Sequence, residues 1–221
     1  MWLSATGSEA DAIGVEYGVG RDLASEIKSQ LGYSRAPQCD RMLGEIGQRL
    51  ADCVANRLRK FAFETIKGTE PNAFALPGGF IFVSKSLVDL CRNDQDEVAF
   101  ILGHEMAHVI RGHAMDRIVS HSAINIASRV TSARGPLSGW LQRVGVQFLE
   151  SAYSRDIETE ADRLGVRLVV AAGYDPRGGV KLFARLAKLT APGGQINLGK
   201  YFSSHPSFEA RIHAINRLSA K

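Results

Sequence analysis

The chain has no uninterrupted apolar run of about 18 residues, the minimum for a bilayer-crossing helix, so no transmembrane segment is expected. It is poor in cysteine. Cys39, Cys53 and Cys91 are the only three among 221 residues, and no two form a Cys-x-x-Cys pair. That spacing argues against a thiolate zinc site, and an odd count argues against a disulfide framework. A single Cys39–Cys53 bridge and three free thiols both fit the sequence. Strong charge of one sign is also missing: 27 basic and 23 acidic residues leave a net charge of +4. The basic residues recur singly or in pairs, as in Arg57-Leu58-Arg59-Lys60, which reads as a solvated helix face. No nucleic-acid partner is expected. Residues 1–7 are too short and too polar for a signal peptide. This leaves a cytosolic protein, or one whose targeting segment lies outside this sequence. Neither an internal repeat nor a low-complexity segment is present.

What is present is ordinary globular composition, 45% hydrophobic and 23% charged. That is enough to bury one good core, and a single domain over residues 1–221 is the default expectation. Apolar periodicity predicts a helix over 9–31 ending at Gly32, and a second over 39–60. Phe74, Ile81 and Val83 flank a Pro77-Gly78-Gly79 break, which predicts two short strands around a turn. A short helix is expected over 84–91. Asp94, followed by Asp96 and Glu97, is a strong helix start, and that helix should run to about Ser120. Residues 121–148 are mixed. Further helices are expected from about 149 to Ala172, over 177–190 and near 207–219, with a loop at 192–194.

The chemistry concentrates on His104, Glu105 and His108. On a helix, His104 and His108 are about 40° apart on one face and one turn apart in height. Two imidazoles so placed can bind one zinc ion, with Glu105 beside them to act on a water. Val98, Phe100, Ile101, Leu102, Val109 and Ile110 make the same helix largely apolar. Burying two histidines and a glutamate in that setting is costly unless they have partners, and a metal provides one.

A third ligand must come from elsewhere. The metzincin pattern needs Gly and His seven and ten residues after the first His, whereas Gly112 and His113 lie eight and nine after it. On a continuous helix His113 points about 140° away from His108 and reads as a polar-face residue. Glu158 and Asp162, four residues apart, share a helix face. One of these carboxylates can bind zinc while the other accepts the outward N–H of a ligand histidine. Glu160 points elsewhere and is expected to be solvated.

The combination of His104-Glu105-x-x-His108 with Glu158-x-x-Ala161-Asp162 resembles the gluzincin metallopeptidases. Within them it resembles the group containing HtpX, BepA and the CAAX prenyl endopeptidases. Three further segments are similar to that group: Asn72-Ala73-Phe74-Ala75-Leu76-Pro77-Gly78-Gly79, Ala172-Gly173-Tyr174-Asp175-Pro176, and Ser204-His205-Pro206 with Arg211. The resemblance covers about residues 9–218. It implies an α+β, mostly α, zincin-like domain with a small sheet whose edge strand faces the active-site helix. It also implies one zinc ion per chain held by His104, His108 and Glu158. Glu105 would be the general base and later the proton donor, and Asp162 the partner of a ligand histidine. Asn72 and Ala73 would lie on an edge strand that pairs with extended substrate.

His205 precedes a proline and is therefore in extended, loop-like backbone. By the same resemblance it is either a reversible fourth ligand that plugs the site or a loop residue with local contacts. Arg211, Tyr201 and His205 are unranked candidates to stabilise the oxyanion. The activity implied is hydrolysis of peptide bonds in unfolded or misassembled proteins. The implied location is the bacterial periplasm or cell envelope, near envelope or membrane-associated partner proteins. The membrane members' transmembrane helices and the BepA helical repeats are missing from this sequence, so their particular roles are not implied. Two rivals stand against the peptidase. One is a chaperone-like or assembly module with a closed, structural zinc site, and the other is a metal-free helical interaction protein.

Overall fold

The computed structural model describes residues 8–32, 36–121, 153–190 and 208–219. The Ser8 hydroxyl accepts the Asp11 N–H at 3.1 Å and starts α1 (Glu9–Leu31), and Gly32 at φ 72° ends it. Pro37 opens α2 (Pro37–Ala51), since its fixed φ suits a first helical position. The predicted extension to residue 60 fails. Cys53 and Val54 turn their N–H groups back to Leu50 and Ala51, and the Asn56 side chain accepts the Leu58 N–H at 2.9 Å. Such local bonds compete with helix.

The strands are β1 (Ala62–Ile66), β2 (Ala73–Leu76) and β3 (Phe80–Ser84), with the 3-10 turn Pro77–Gly79 joining the last two. They form one mixed sheet in the order β1-β3-β2, with β1 parallel and β2 antiparallel to β3. The hairpin was legible; β1 was not. Ala73, Ala75, Ile81 and Val83 face the main core, while Phe74, Leu76 and Phe82 face Leu23, Ala24 and Ile27 of α1. That is the two-residue alternation of a sheet buried on both faces.

The helices that follow are α3 (Lys85–Leu90), α4 (Gln95–Ile110), α5 (His113–His121), α6 (Arg155–Ala171), α7 (Gly178–Thr190) and α8 (Phe208–Ser219). Asp94 caps α4 by accepting the Asp96 and Glu97 N–H groups at 3.0 and 3.2 Å. This helix does not continue to Ser120. Gly112 adopts φ 74°, a left-handed conformation that suits glycine, and the chain turns before α5 begins. Ser154 caps α6, which starts at Arg155 rather than near 149. The mixed stretch from 122 onward and the loop at 192–194 fall outside the described residues.

Helix α4 runs through the centre of the molecule, in contact with α2, β2, α6 and α7, and every residue from Glu97 to Val109 is buried. Its approach to α6 is backbone to backbone. A Cβ added to Gly165 would lie 2.9 Å from the His104 nitrogen, and one on Gly103 would lie 3.0 Å from the Gly165 carbonyl oxygen. The two glycines therefore set how near α6 can bring its carboxylates. The outcome is the mostly helical, zincin-like domain with a small sheet expected from the sequence. None of the described helices is long and apolar enough to cross a membrane. Cys39, Cys53 and Cys91 are free thiols, so the Cys39–Cys53 bridge is not formed, and burial pushes the Cys91 thiol well above its usual range.

Candidate metal centre

Two turns of α4 present His104 and His108 toward α6, where Glu158 stands opposite. His104 Nε2 and His108 Nε2 are 3.1 Å apart. Glu158 Oε2 is 3.5 Å from the first, and Oε1 is 3.4 Å from the second. Tetrahedral ligands at about 2.0–2.1 Å from a zinc ion stand roughly 3.3 Å from one another. The imidazole nitrogens and the Glu158 carboxylate oxygens are thus about as far apart as ligands around one zinc ion, and two imidazoles with a carboxylate are a donor set that suits zinc. Among the described residues this is the one group of three metal-competent side chains. All three are buried, and Glu105, also buried, follows His104 directly on α4.

Spacing alone left open which carboxylate faces the metal and which backs a histidine, while the family resemblance implied Glu158 for the metal and Asp162 for the histidine. The structure brings Glu158 to the histidine Nε2 atoms and Asp162 to the far side of His104, with His104 Nδ1 at 2.9 Å from Asp162 Oδ1. Arg211 on α8 closes this layer. Its Nε and Nη2 donate to the two Asp162 oxygens at 2.8 and 2.7 Å, and its Nη1 lies 3.1 Å from Glu158 Oε2. The guanidinium rests 4.6 Å from the Phe183 ring centre. Burial alone would raise the Asp162 pKa, but Arg211 and the His104 bond outweigh it and hold the carboxyl down at about 2. Arg211, a sequence candidate for the oxyanion, is therefore occupied among the carboxylates that orient the ligands.

His113 departs furthest from expectation. It is buried, not on a polar face, and its Nδ1 lies 3.1 Å from His108 Nδ1. The predicted 140° separation assumed one continuous helix, and the turn at Gly112 removes that premise. Burial pushes His113 below the usual histidine range. Glu160 is exposed, as expected, yet engaged: its carboxylate meets Arg111 Nε at 2.9 Å and His113 Nε2 at 3.5 Å. Tyr153 was not singled out by any sequence signal. Its ring stacks on His108 with centroids 4.3 Å apart, and the Arg117 guanidinium lies over the same ring, 3.3 Å from its centre.

Ala73 opens β2, and Asn72 is the residue before it; β2 is an edge strand of the described sheet and packs against α4. Asn72 exchanges bonds with Ser84 of β3: its N–H reaches Ser84 Oγ and its carbonyl accepts the Ser84 N–H, both at 2.8 Å. In an antiparallel ladder the backbone groups of alternate residues point the other way, so Ala73 and Ala75 present theirs to the edge of β2 that no described strand pairs with. His205 and Tyr201 lie outside the described residues.

Known proteins similar to this chain were compared with it. The model of peptidase family M48 matches residues 37–219. The chain is 35% identical over 158 residues to the mitochondrial metalloendopeptidase OMA1 of Schizosaccharomyces pombe, covering 71% of this chain and 46% of that protein. It is 27% identical over 225 residues to the metalloprotease YcaL of Escherichia coli, covering 99% and 84%. To the metalloprotease LoiP of the same bacterium it is 30% identical over 179 residues, covering 77% and 69%. The chain spans less than half the length of the OMA1 proteins it matches. With the family model covering the helix of His104 and His108, the helix of Glu158 and the helix of Arg211, the chain belongs to peptidase family M48.

Proposed function

We propose that this chain is a zinc-dependent endopeptidase that hydrolyses peptide bonds in unfolded or misassembled polypeptides. The observation that carries the reading is the convergence of His104 Nε2, His108 Nε2 and the Glu158 carboxylate at 3.1–3.5 Å, with Glu105 next to His104 on the same helix. Three protein ligands leave one position for water and substrate, as in catalytic rather than structural zinc sites. When bound, zinc supplies a Lewis acid that polarises the scissile carbonyl and acidifies the attacking water.

The remaining steps belong to the chain's own residues. Glu105 takes the proton of the attacking water and returns it to the leaving amine. Asp162, itself held by Arg211, accepts the His104 Nδ1–H and so directs Nε2 at the metal. The edge of β2 that no described strand covers holds the substrate as an added strand, and the backbone of Ala73 and Ala75 makes the pairing while Asn72 anchors the strand to β3. Tyr201 and His205 are our candidates for the oxyanion, since Arg211 is committed elsewhere. We place the chain beside the HtpX and BepA proteins within family M48 and assign it to the bacterial periplasm or cell envelope. The support for both assignments is the motif resemblance.

The test is casein hydrolysis together with metal analysis. Wild-type protein should carry one zinc ion per chain and lose activity to a chelator. Glu105→Gln should keep the zinc while turnover falls by about 10²-fold or more, the scale of a lost general base. Full activity in that variant sinks the reading. In the same assay His205→Ala should raise the rate if His205 plugs the site at rest, and an unchanged or lower rate removes the plug.

A further inference from the structure

His108 is supported from behind by a residue that the zinc motif does not contain. His113 Nδ1 stands 3.1 Å from His108 Nδ1, with the two rings inclined at 69°, so the contact is an N–H···N hydrogen bond and not a stack. The direction of that bond follows from the site. His108 Nε2 converges with His104 and Glu158, so it keeps its lone pair for the metal and the proton sits on Nδ1. His113 Nδ1 must then be the acceptor, which puts the His113 proton on Nε2. That nitrogen faces Glu160 Oε2 at 3.5 Å, and Arg111 Nε holds the same carboxylate at 2.9 Å. The polar contacts run one way, with a hydrogen bond from His108 to His113 and a longer 3.5 Å charge contact from His113 to an acid at the surface.

We infer that His113 is the positioning residue of His108, doing with a neutral imidazole what Asp162 does for His104 with a carboxylate. Arg111, Gly112 and His113 form one device. Gly112, at φ 74°, breaks the helix so that His113 comes back against His108, and Arg111 fixes the Glu160 that sets the His113 tautomer. The cost of burying His113 is offset because its ring nitrogen is bonded to a ligand. The two ligand histidines therefore differ in support, one backed by a charge and one by a dipole.

The inference rests on His104, His108 and Glu158 being zinc ligands, and the experiment separates the two. Zinc affinity is measured by competition with a chromophoric chelator for wild type, His113→Phe and His113→Asn, alongside the melting temperature of each metal-free protein. Phe keeps the ring and removes the acceptor; Asn offers an oxygen near the place of Nδ1. Removing such an outer partner typically costs roughly 10–100-fold in metal affinity. That loss is expected for His113→Phe, with recovery to within a few-fold of wild type for His113→Asn and similar melting of all three metal-free proteins. Equal zinc affinity in wild type and His113→Phe overturns the inference, as does a His113→Asn variant as weak as Phe. Should His113→Phe not fold, imidazole nitrogen NMR of zinc-loaded wild type decides: His113 protonated at Nε2 and bare at Nδ1 supports it, and the opposite tautomer overturns it. A wild type that binds no zinc defeats the peptidase reading itself.

Discussion

Asp162 shows how much one side chain carries when it is buried among charges. It accepts from His104 Nδ1 and from two nitrogens of Arg211, and it is almost wholly removed from water. Asp162→Ala removes the acceptor that fixes the His104 tautomer and leaves the Arg211 charge balanced by Glu158 alone. We expect zinc affinity to fall by roughly 10–100-fold, read by chelator competition, because outer partners of metal-bound histidines typically matter on that scale. Sequence spacing brought Glu158 and Asp162 onto one face, yet it could not say which points at the histidines. That depends on where α6 stands against α4, and the contact at Gly103 and Gly165 decides it.

Among the elements, the end of α1 and the start of α4 were readable, whereas the ends of α2 and α4 and the start of α6 were not. Gly32 ends α1 and Asp94 starts α4 as the sequence predicts. Burial alone would raise the Asp94 pKa, but Lys181 and the capped N–H groups outweigh it and hold the carboxyl below its usual value. Asp94→Ala should lower stability by about 1 kcal/mol, the common cost of losing a helix cap. Because the folded-state pKa is depressed, the carboxylate's contribution is fully present above the unfolded value of about 3.9 and is lost as pH falls below it. Chemical denaturation should show a constant gap between wild type and variant from pH 7 to about 5, closing in stronger acid. The end of α4 was misjudged because Gly112 in a helical pattern signals a stop only when the next turn finds better contacts elsewhere. Here His113 packs on His108, and Ile118 joins the α1 side of the sheet.

In the molecule as a whole, the sheet separates two apolar clusters, one around α4 and one under α1. A buried ion pair, Arg59 Nη1 to Glu16 Oε2 at 2.8 Å, ties α1 to the segment leading into β1, with side-chain exposures of 5% and 1%. Arg59→Met leaves the Glu16 carboxylate buried without that charge. Breaking one side of such a pair typically costs about 3–5 kcal/mol. The urea midpoint should drop accordingly, and Glu16→Gln added to Arg59→Met should restore part of it. A variant as stable as wild type would mean that Glu16 reaches water when Arg59 is gone.

The paired histidines one helical turn apart, the adjacent glutamate, the Gly32 stop of α1, the Asp94 cap of α4 and the hairpin around Pro77 all rest on interactions within a few residues. For that reason the sequence alone determined them. The placing of Glu158 and Asp162 against the two histidines, the recruitment of Arg211 to the carboxylates, the pairing of β1 with β3 and the return of His113 to His108 join residues that no local period relates. Arg211 and His104 are 107 residues apart in the chain, so only the packing of α8 and α6 on α4 could bring them together.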